Sequence, residues 1–371
     1  MKRLITILFC TLLVGFPVWA KQPKSIKASE KLAKEMAKEN DLQKVVDVLA
    51  TCKSFSYYGT DGFCITSKQY IVTKRLTELA TCAQLDSLAQ NGQNTIVKAS
   101  AFASMCYLKD SCDNNAVFQA LIKNLPDTSQ LYVNSFDIYW KQDLSSFITD
   151  FAFSYGALSQ QDSAYLDSLL FYTNAYSSNS RVFSVVRKNA NNLDYYPRVK
   201  EIFQITGNDD LLKYIAHYRQ KEDIPMLMDV LGDFRTKIND ECLGTNRTRE
   251  ALEAITYWPL LEFREIITEY ATTYALCSHF NYQGLMHMFT YVMMQDAEWG
   301  ISFIDRIMAL CEQNTRTDSK QWFVEALYKA YHIADNPEYT DIVDKYCASL
   351  NEWRKENLAE TAEMFKNRRI Q

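Results

Sequence analysis

Glycine and proline are scarce in this 371-residue chain, at ten and seven residues, far below the roughly 12% of average usage. That scarcity disfavours turn-dense β-sandwiches, β-propellers and glycine-looped nucleotide enzymes. Histidine is scarcer still, at His217, His279, His287 and His332. No pair has the i, i+4 spacing of a helical zinc site, and an eight-residue gap such as His279 to His287 spans about 12 Å on one helix. Cys-x-x-Cys, Gly-x-Ser-x-Gly, glycine-rich phosphate loops and calcium-loop patterns are missing as well. Each supplies a tight turn, a close backbone approach or clustered ligands that its chemistry needs. No cofactor and no metal is therefore expected. Sustained alternation flanked by hairpin turns is not found either, so no sheet is expected.

Beyond the first twenty residues no apolar run approaches the eighteen or so needed to span a bilayer. Those first twenty are different: Lys2 and Arg3 precede an apolar run from Leu4 to Val14, then Pro17, Val18, Trp19 and Ala20. This succession reads as a secretory signal peptide cleaved between Ala20 and Lys21, which places the chain in the periplasm, the cell envelope or outside the cell. Phe9 sits where a lipoprotein site wants a small residue, so Cys10 is not expected to be lipidated. Losing Lys2 and Arg3 takes the formal net charge from −5 to −7. Basic stripes of the kind that displace counterions from phosphates do not occur, which excludes nucleic acid and favours partners that are not acidic. The lysines from Lys21 to Lys38 read as the solvated start of a helix.

Nine cysteines follow the leader, an odd number that does not resemble the dense even framework of small secreted scaffolds. Most are expected to be buried free thiols. Cys52 and Cys64 are the exception, because they bracket Tyr57, Tyr58, Gly59 and Gly62 in the most loop-like stretch of the chain, where a local disulfide is expected.

Apolar content of 47% with short polar breaks predicts long helices. The segment Ile96 to Leu108 is the most informative. Val97, Ala101, Ser104, Met105 and Leu108 form one face, and Ala99, Ala103 and Cys106 form a small-residue face opposite. A helix apolar on two sides is sandwiched between neighbours. A helix ending at Asn91-Gly92 precedes it, and another running from Val117 to Leu125 follows. Helix, Asn-Gly turn, then Val-Lys-x-x-Ala-Phe-x-Ser-Met resembles a HEAT-type repeat over about residues 81–125. Lys98, Ser104 and Met105 stand where that family commonly has arginine, alanine and leucine. The resemblance implies an all-α chain, an α-solenoid of stacked antiparallel helical hairpins, and a non-enzymatic scaffold presenting its surface to a protein or peptide.

The organisation read from the chain is a leader (1–20), N-terminal helices with the Cys/Tyr loop (21–67), two blocks of helical repeats (68–190 and 191–350) and a charged tail that reads as a fraying helix with no core of its own (351–371). The seam is placed in the polar stretches 177–180 and 189–194. Tyrosine is abundant, at 23 residues, and the doublets Tyr57-Tyr58, Tyr195-Tyr196 and Tyr257-Trp258 are candidate partner contacts, since such rings supply rigid area with a hydrogen-bonding edge. The competing class is a secreted α/α-toroid glycosidase or glycan-binding protein. It would need a carboxylate pair in an aromatic cleft, and no two of the 45 acids are marked out. Terminal sequencing of exported protein should read Lys21 first; an intact Met1 would refute the leader.

Overall fold

The computed structural model describes residues 24–61, 66–136, 138–237, 246–275, 282–313, 317–367 and 369. Helices dominate among them, as expected for an all-α chain. Ala20 and Lys21 lie outside the described residues, as do Cys64, Cys242, Cys277 and His279. The chain forms two compact units, residues 1–168 and 169–371. Their division falls ahead of the polar stretches 177–180 and 189–194.

In the first unit the order is α1 (Lys24–Met36), α2 (Leu42–Ala50), β1 (Phe55–Asp61), α3 (Lys68–Leu79), α4 (Cys82–Asn91), α5 (Thr95–Tyr107), α6 (Asn114–Asn124), β2 (Gln130–Phe136), β3 (Ile138–Asp143) and α7 (Leu144–Ser154), followed by α8 (Gln160–Tyr172), which the division crosses. Short polar side chains fix where these helices begin: Asp41, Ser67, Thr81, Asn94, Asp113 and Asp143 each accept a backbone N–H of the first turn of α2 to α7 in order. Thr81 and Gln84 complete a reciprocal capping box on α4. Gly92 ends α4 with φ −54°, so it does not serve by a left-handed conformation. It serves by space, because a Cβ there would lie 2.9 Å from Val97 Cγ1.

Helix α5 is the centre of this unit. Every residue from Ile96 to Cys106 except Lys98 is buried, and α3, α4 and α7 pack around it. Lys98 leaves the core to pair with Asp127 at 2.7 Å. The two serines of α5 are buried and satisfied: Ser100 Oγ accepts from Gln69 Nε2 at 3.0 Å, and Ser104 Oγ accepts from Thr77 at 2.8 Å. Gln69 also accepts the backbone N–H of Ser56 at 3.0 Å, which ties β1 to the helices.

A three-stranded sheet is present, contrary to the expectation of none. β1 pairs in parallel with β2, and β2 runs antiparallel to β3, with Phe55 opposite Val133 and Val133 opposite Trp140. Leu131 and Val133 point inward and Tyr132 outward, but Asn134 is also buried and breaks the alternation. β1 is recruited by tertiary packing instead: the Phe55 ring lies 4.6 Å from Phe147 and 5.9 Å from Phe151 on α7.

The disulfide is also elsewhere. Cys82 at the start of α4 is bridged to Cys112 just before α6, with Cα atoms 5.5 Å apart. Cys52, expected to pair with Cys64, is a free thiol near the Val48 carbonyl. The reason is geometric: stacking α4 beside α6 across α5 brings together two cysteines 30 residues apart, a closeness that local spacing cannot register. Cys106, Cys311 and Cys347 are buried free thiols, as expected.

In the second unit the helices are α9 (Ser180–Lys188), α10 (Tyr196–Thr206), α11 (Leu212–His217), α12 (Ile224–Leu231), α13 (Asn246–Ile255), α14 (Arg264–Ala275), α15 (Tyr282–Met293), α16 (Ala297–Gln313), α17 (Thr317–Ala334), α18 (Thr340–Cys347) and α19 (Glu352–Lys366). Packing skips one helix at a time: α11 lies on α13, α13 on α15, α15 on α17 and α17 on α19, while α14 lies on α16 and α16 on α18. Helix α15 is buried at every position from Gly284 to Met293. Asn336 caps the turn into α18 and Pro337 opens it, as its sequence signals predict. Gly300 on α16 leaves room for the Tyr339 ring, whose hydroxyl donates to the Val292 carbonyl at 3.0 Å.

Residues 351–371 are not a tail without a core. Most of them form α19, with Leu358 and Ala362 buried, Arg354 Nε 2.9 Å from Glu325 Oε1 and Lys329 Nζ 4.3 Å from the centre of the Phe365 ring. Three apolar or small residues among many charges suffice because α17 supplies the opposing face.

Closing a 30-residue loop stabilises by about 3 to 4 kcal/mol in the chain-entropy account. Denaturation with and without reductant should differ by about that much, and mass mapping without reductant should find Cys82 joined to Cys112; a free Cys82 thiol would refute the bridge.

Candidate functional site

The six candidate aromatics are divided between the two units. Tyr57 belongs to the first unit, and Tyr58 stands on β1 with its side chain outside the described residues. Tyr195 is half-buried with its ring 4.9 Å from that of Phe171. Tyr196 donates to Glu222 Oε1 at 3.1 Å and accepts from Lys200 at 3.0 Å. Trp258 is buried in the core. Tyr257 lines a cavity in the second unit.

That cavity, of about 530 Å³, is built by the helices that pack on one another in alternation. Lys213 and Tyr214 come from α11, Glu253 from α13 with Thr256 and Tyr257 just after it, His287 and Thr290 from α15, Ile333 from α17, and Phe365 from α19 with Asn367 and Arg369 beyond its end. Arg187 from α9 completes the rim. A second cavity of about 600 Å³ adjoins it and shares Thr256, Tyr257 and Arg369 as a wall, with His217, Met293, Met294 and Asn336 on its far side. Sizes of this order suit a small ligand or a short peptide segment.

Three cations and one carboxylate face the first cavity. Lys213 Nζ lies 3.3 and 3.4 Å from the two Glu253 oxygens. Burial works against the Lys213 charge, but Glu253 outweighs it and holds the ammonium above its ordinary pKa. Burial raises Glu253 in turn, more than Lys213 lowers it. Arg369 reaches back across the sequence to donate to the Thr256 carbonyl at 2.7 Å, and its guanidinium sits 4.7 Å from the centre of the Tyr257 ring. Burial lowers its pKa from the ordinary value. Neither Arg369 nor Arg187 is ion-paired to a carboxylate among the described residues. The chain as a whole is acidic, yet this cavity is basic, so net charge misdescribes it.

His287 lies at the floor and is 9% exposed. Burial, followed by the charges of Arg369, Lys213, Arg249 and Lys329, pushes its pKa down to about 3, so the ring is neutral. It makes no hydrogen bond among the described residues. The signal was present in the sequence: from Leu285 to Met294, His287 and Thr290 interrupt an otherwise apolar run that also holds Tyr291. A polar residue on so apolar a helix needs a reason to be there.

The first unit has a cavity of its own, of about 510 Å³, lined by Tyr57, Tyr70, Tyr107 and Tyr155 with Thr73, Lys74, Thr77 and Glu78. Tyr155 stacks on Phe151 at 4.4 Å and meets Tyr107 edge-on at 5.1 Å. Burial, then the Tyr155 hydroxyl, raises the Tyr107 pKa well above its ordinary value, so the phenol is neutral. Among the described residues no group of three or more His, Cys, Asp or Glu could hold a metal ion, and no helix is long and apolar enough to cross a membrane. No family model, curated protein or solved structure matches this chain.

The His287 shift makes stability depend on pH with a defined sign. Unfolded, the imidazole takes a proton below about pH 6.5; folded, it resists until about 3. Its contribution is therefore complete above pH 6.5 and is lost as pH falls toward 3, on the order of 5 kcal/mol in full. Denaturation of the wild type and His287→Gln across pH 7 to 3.5 should show a shallower acid loss in the variant; parallel curves would refute a buried neutral ring.

Proposed function

We propose that this chain is an exported, non-enzymatic binding protein that holds an extended protein or peptide segment against the second unit. One observation carries the reading: helices α11, α13, α15, α17 and α19, stacked in alternation, each contribute to a single cavity, and a second cavity continues it past Tyr257 and Arg369. A run of helices sharing one face is how solenoids of the HEAT kind offer a long surface to a chain. The alternating packing supports the stacked-hairpin solenoid reading of the fold. Tyr214 and Tyr257 supply rigid area, with hydroxyl edges for the partner's backbone. Export is supported by the charged and apolar leader and by the Cys82–Cys112 bridge, which persists in oxidising compartments.

A second reading rests on the tyrosine-lined cavity of the first unit, whose rings with Lys74, Glu78 and Thr77 match the aromatic-plus-polar chemistry of a glycan site. The two readings separate in one comparison. A photo-crosslinker in place of Tyr257 should trap one reproducible envelope protein, and Tyr257→Ala should lose that partner by tenfold or more in affinity. Glycan-array binding abolished by Tyr107→Ala, with no protein trapped at position 257, would favour the glycan. Turnover of chromogenic glycosides would overturn a purely binding role.

A further inference from the structure

We infer that the basic cavity of the second unit is a carboxylate site, in which Arg369, Lys213 and His287 receive an acidic group of the bound segment. The inference rests on the peptide-binding reading above and adds the chemistry of what is bound.

Charge comes first. Arg369 is half-buried and is satisfied only in part: one N–H reaches the Thr256 carbonyl and its flat face lies over Tyr257. A guanidinium has five N–H donors in a planar fork that matches the two oxygens of a carboxylate. Taking such a group from water without a counterion is costly, and charges are kept in enclosed places when something pairs with them. Lys213 has its carboxylate in Glu253; Arg369 has none among the described residues. Arg187 at the rim adds a further positive charge.

The second observation is independent of charge. His287 is nine-tenths buried, lines the cavity and makes no hydrogen bond among the described residues. Neutral imidazole has one N–H donor and one acceptor nitrogen. Its donor is free to reach a carboxylate oxygen while the acceptor takes an N–H or O–H of the same ligand. Of the charged groups near it, Lys213 of α11, Glu253 of α13 and Arg369 beyond α19 line the cavity, whereas Arg249 of α13 is paired with Glu250 and Lys329 of α17 lies over the Phe365 ring. Among the lining side chains Arg187, Lys213 and Arg369 outnumber Glu253, so an anion entering the cavity gains from an excess of positive charge.

A carboxylate on a peptide has two sources, an acidic side chain and the free C-terminus. Glutarate mimics the first, N-acetylalanine the second, and glutaramide is the uncharged control. Titrated into the full chain and followed by NMR of the His287 imidazole and the Arg369 guanidinium, glutarate or N-acetylalanine should produce saturable shifts, and glutaramide none. Arg369→Gln should weaken the binding carboxylate at least tenfold while the circular dichroism spectrum and melting temperature stay close to those of the wild type, which shows that the variant is folded. Tighter binding of glutarate assigns a side chain; tighter binding of N-acetylalanine assigns a chain end. Equal shifts with glutaramide, no saturation with either acid, or Arg369→Gln without effect would overturn the carboxylate site. Inorganic phosphate binding more tightly than both acids would overturn it as well. Crosslinking at position 257 reads the peptide site itself and does not depend on the ligand's charge, so trapping that persists when both acids fail leaves the peptide reading standing and removes only this inference.

Discussion

Burial of single helices on opposite faces is the constraint on which the rest of this molecule depends. In α5 the small residues Ala99, Ala101 and Ala103 are fully buried, so that α3, α4 and α7 can close around one backbone. Close approach carries a polar cost, because the serines that keep the helix slim must then be satisfied inside. Ser100 and Ser104 meet Gln69 and Thr77 for that reason, and Gln69 in turn holds the backbone of β1. A single packing demand thus reaches from helix composition to the placement of a strand.

The same demand in the second unit creates the cavity. Helix α15 is as enclosed as α5, but it carries His287 and Thr290 on a side where α11, α13, α17 and α19 do not close completely. Thr290 is satisfied by the Met286 carbonyl of its own helix. His287 has no such resource, and burial, reinforced by the cations around it, keeps the ring neutral rather than paired. Buried polar groups of this kind cost stability when empty, which is the usual relation between a binding site and the core that hosts it. The residues that close the cavity come from far along the chain: Arg369 bonds a carbonyl 113 residues earlier.

Much of the helical framework was legible in the sequence because its signals are local. Periodicity marks α5 and α6, Asn91-Gly92 marks a helix end, and Asn336-Pro337-Glu338 marks the turn into α18; each depends on residues within a turn or two of one another. The sheet was not legible, because Phe55 is held by Phe147 and Phe151 and the β2 alternation is broken at Asn134. The packing of the last helix, though not the helix itself, was misread for a related reason. Leu358 and Ala362 look too few to make a core until α17 is placed against them. Of the aromatic doublets, Tyr57 and Tyr257 line cavities, and Trp258 serves the core, since abundance of tyrosine does not say which rings face solvent.

The sequence by itself determined the helical class, the sandwiched character of α5, the helix end at Gly92 and the scarcity of residues for metal or phosphate chemistry, all of which follow from composition and short-range spacing. Only the tertiary structure decided that Cys82 rather than Cys52 forms a disulfide, that three strands pair, and that Lys213, His287 and Arg369 converge in a basic cavity within an acidic chain. Contacts between residues tens of positions apart depend on how helices stack, and no local pattern carries that distance.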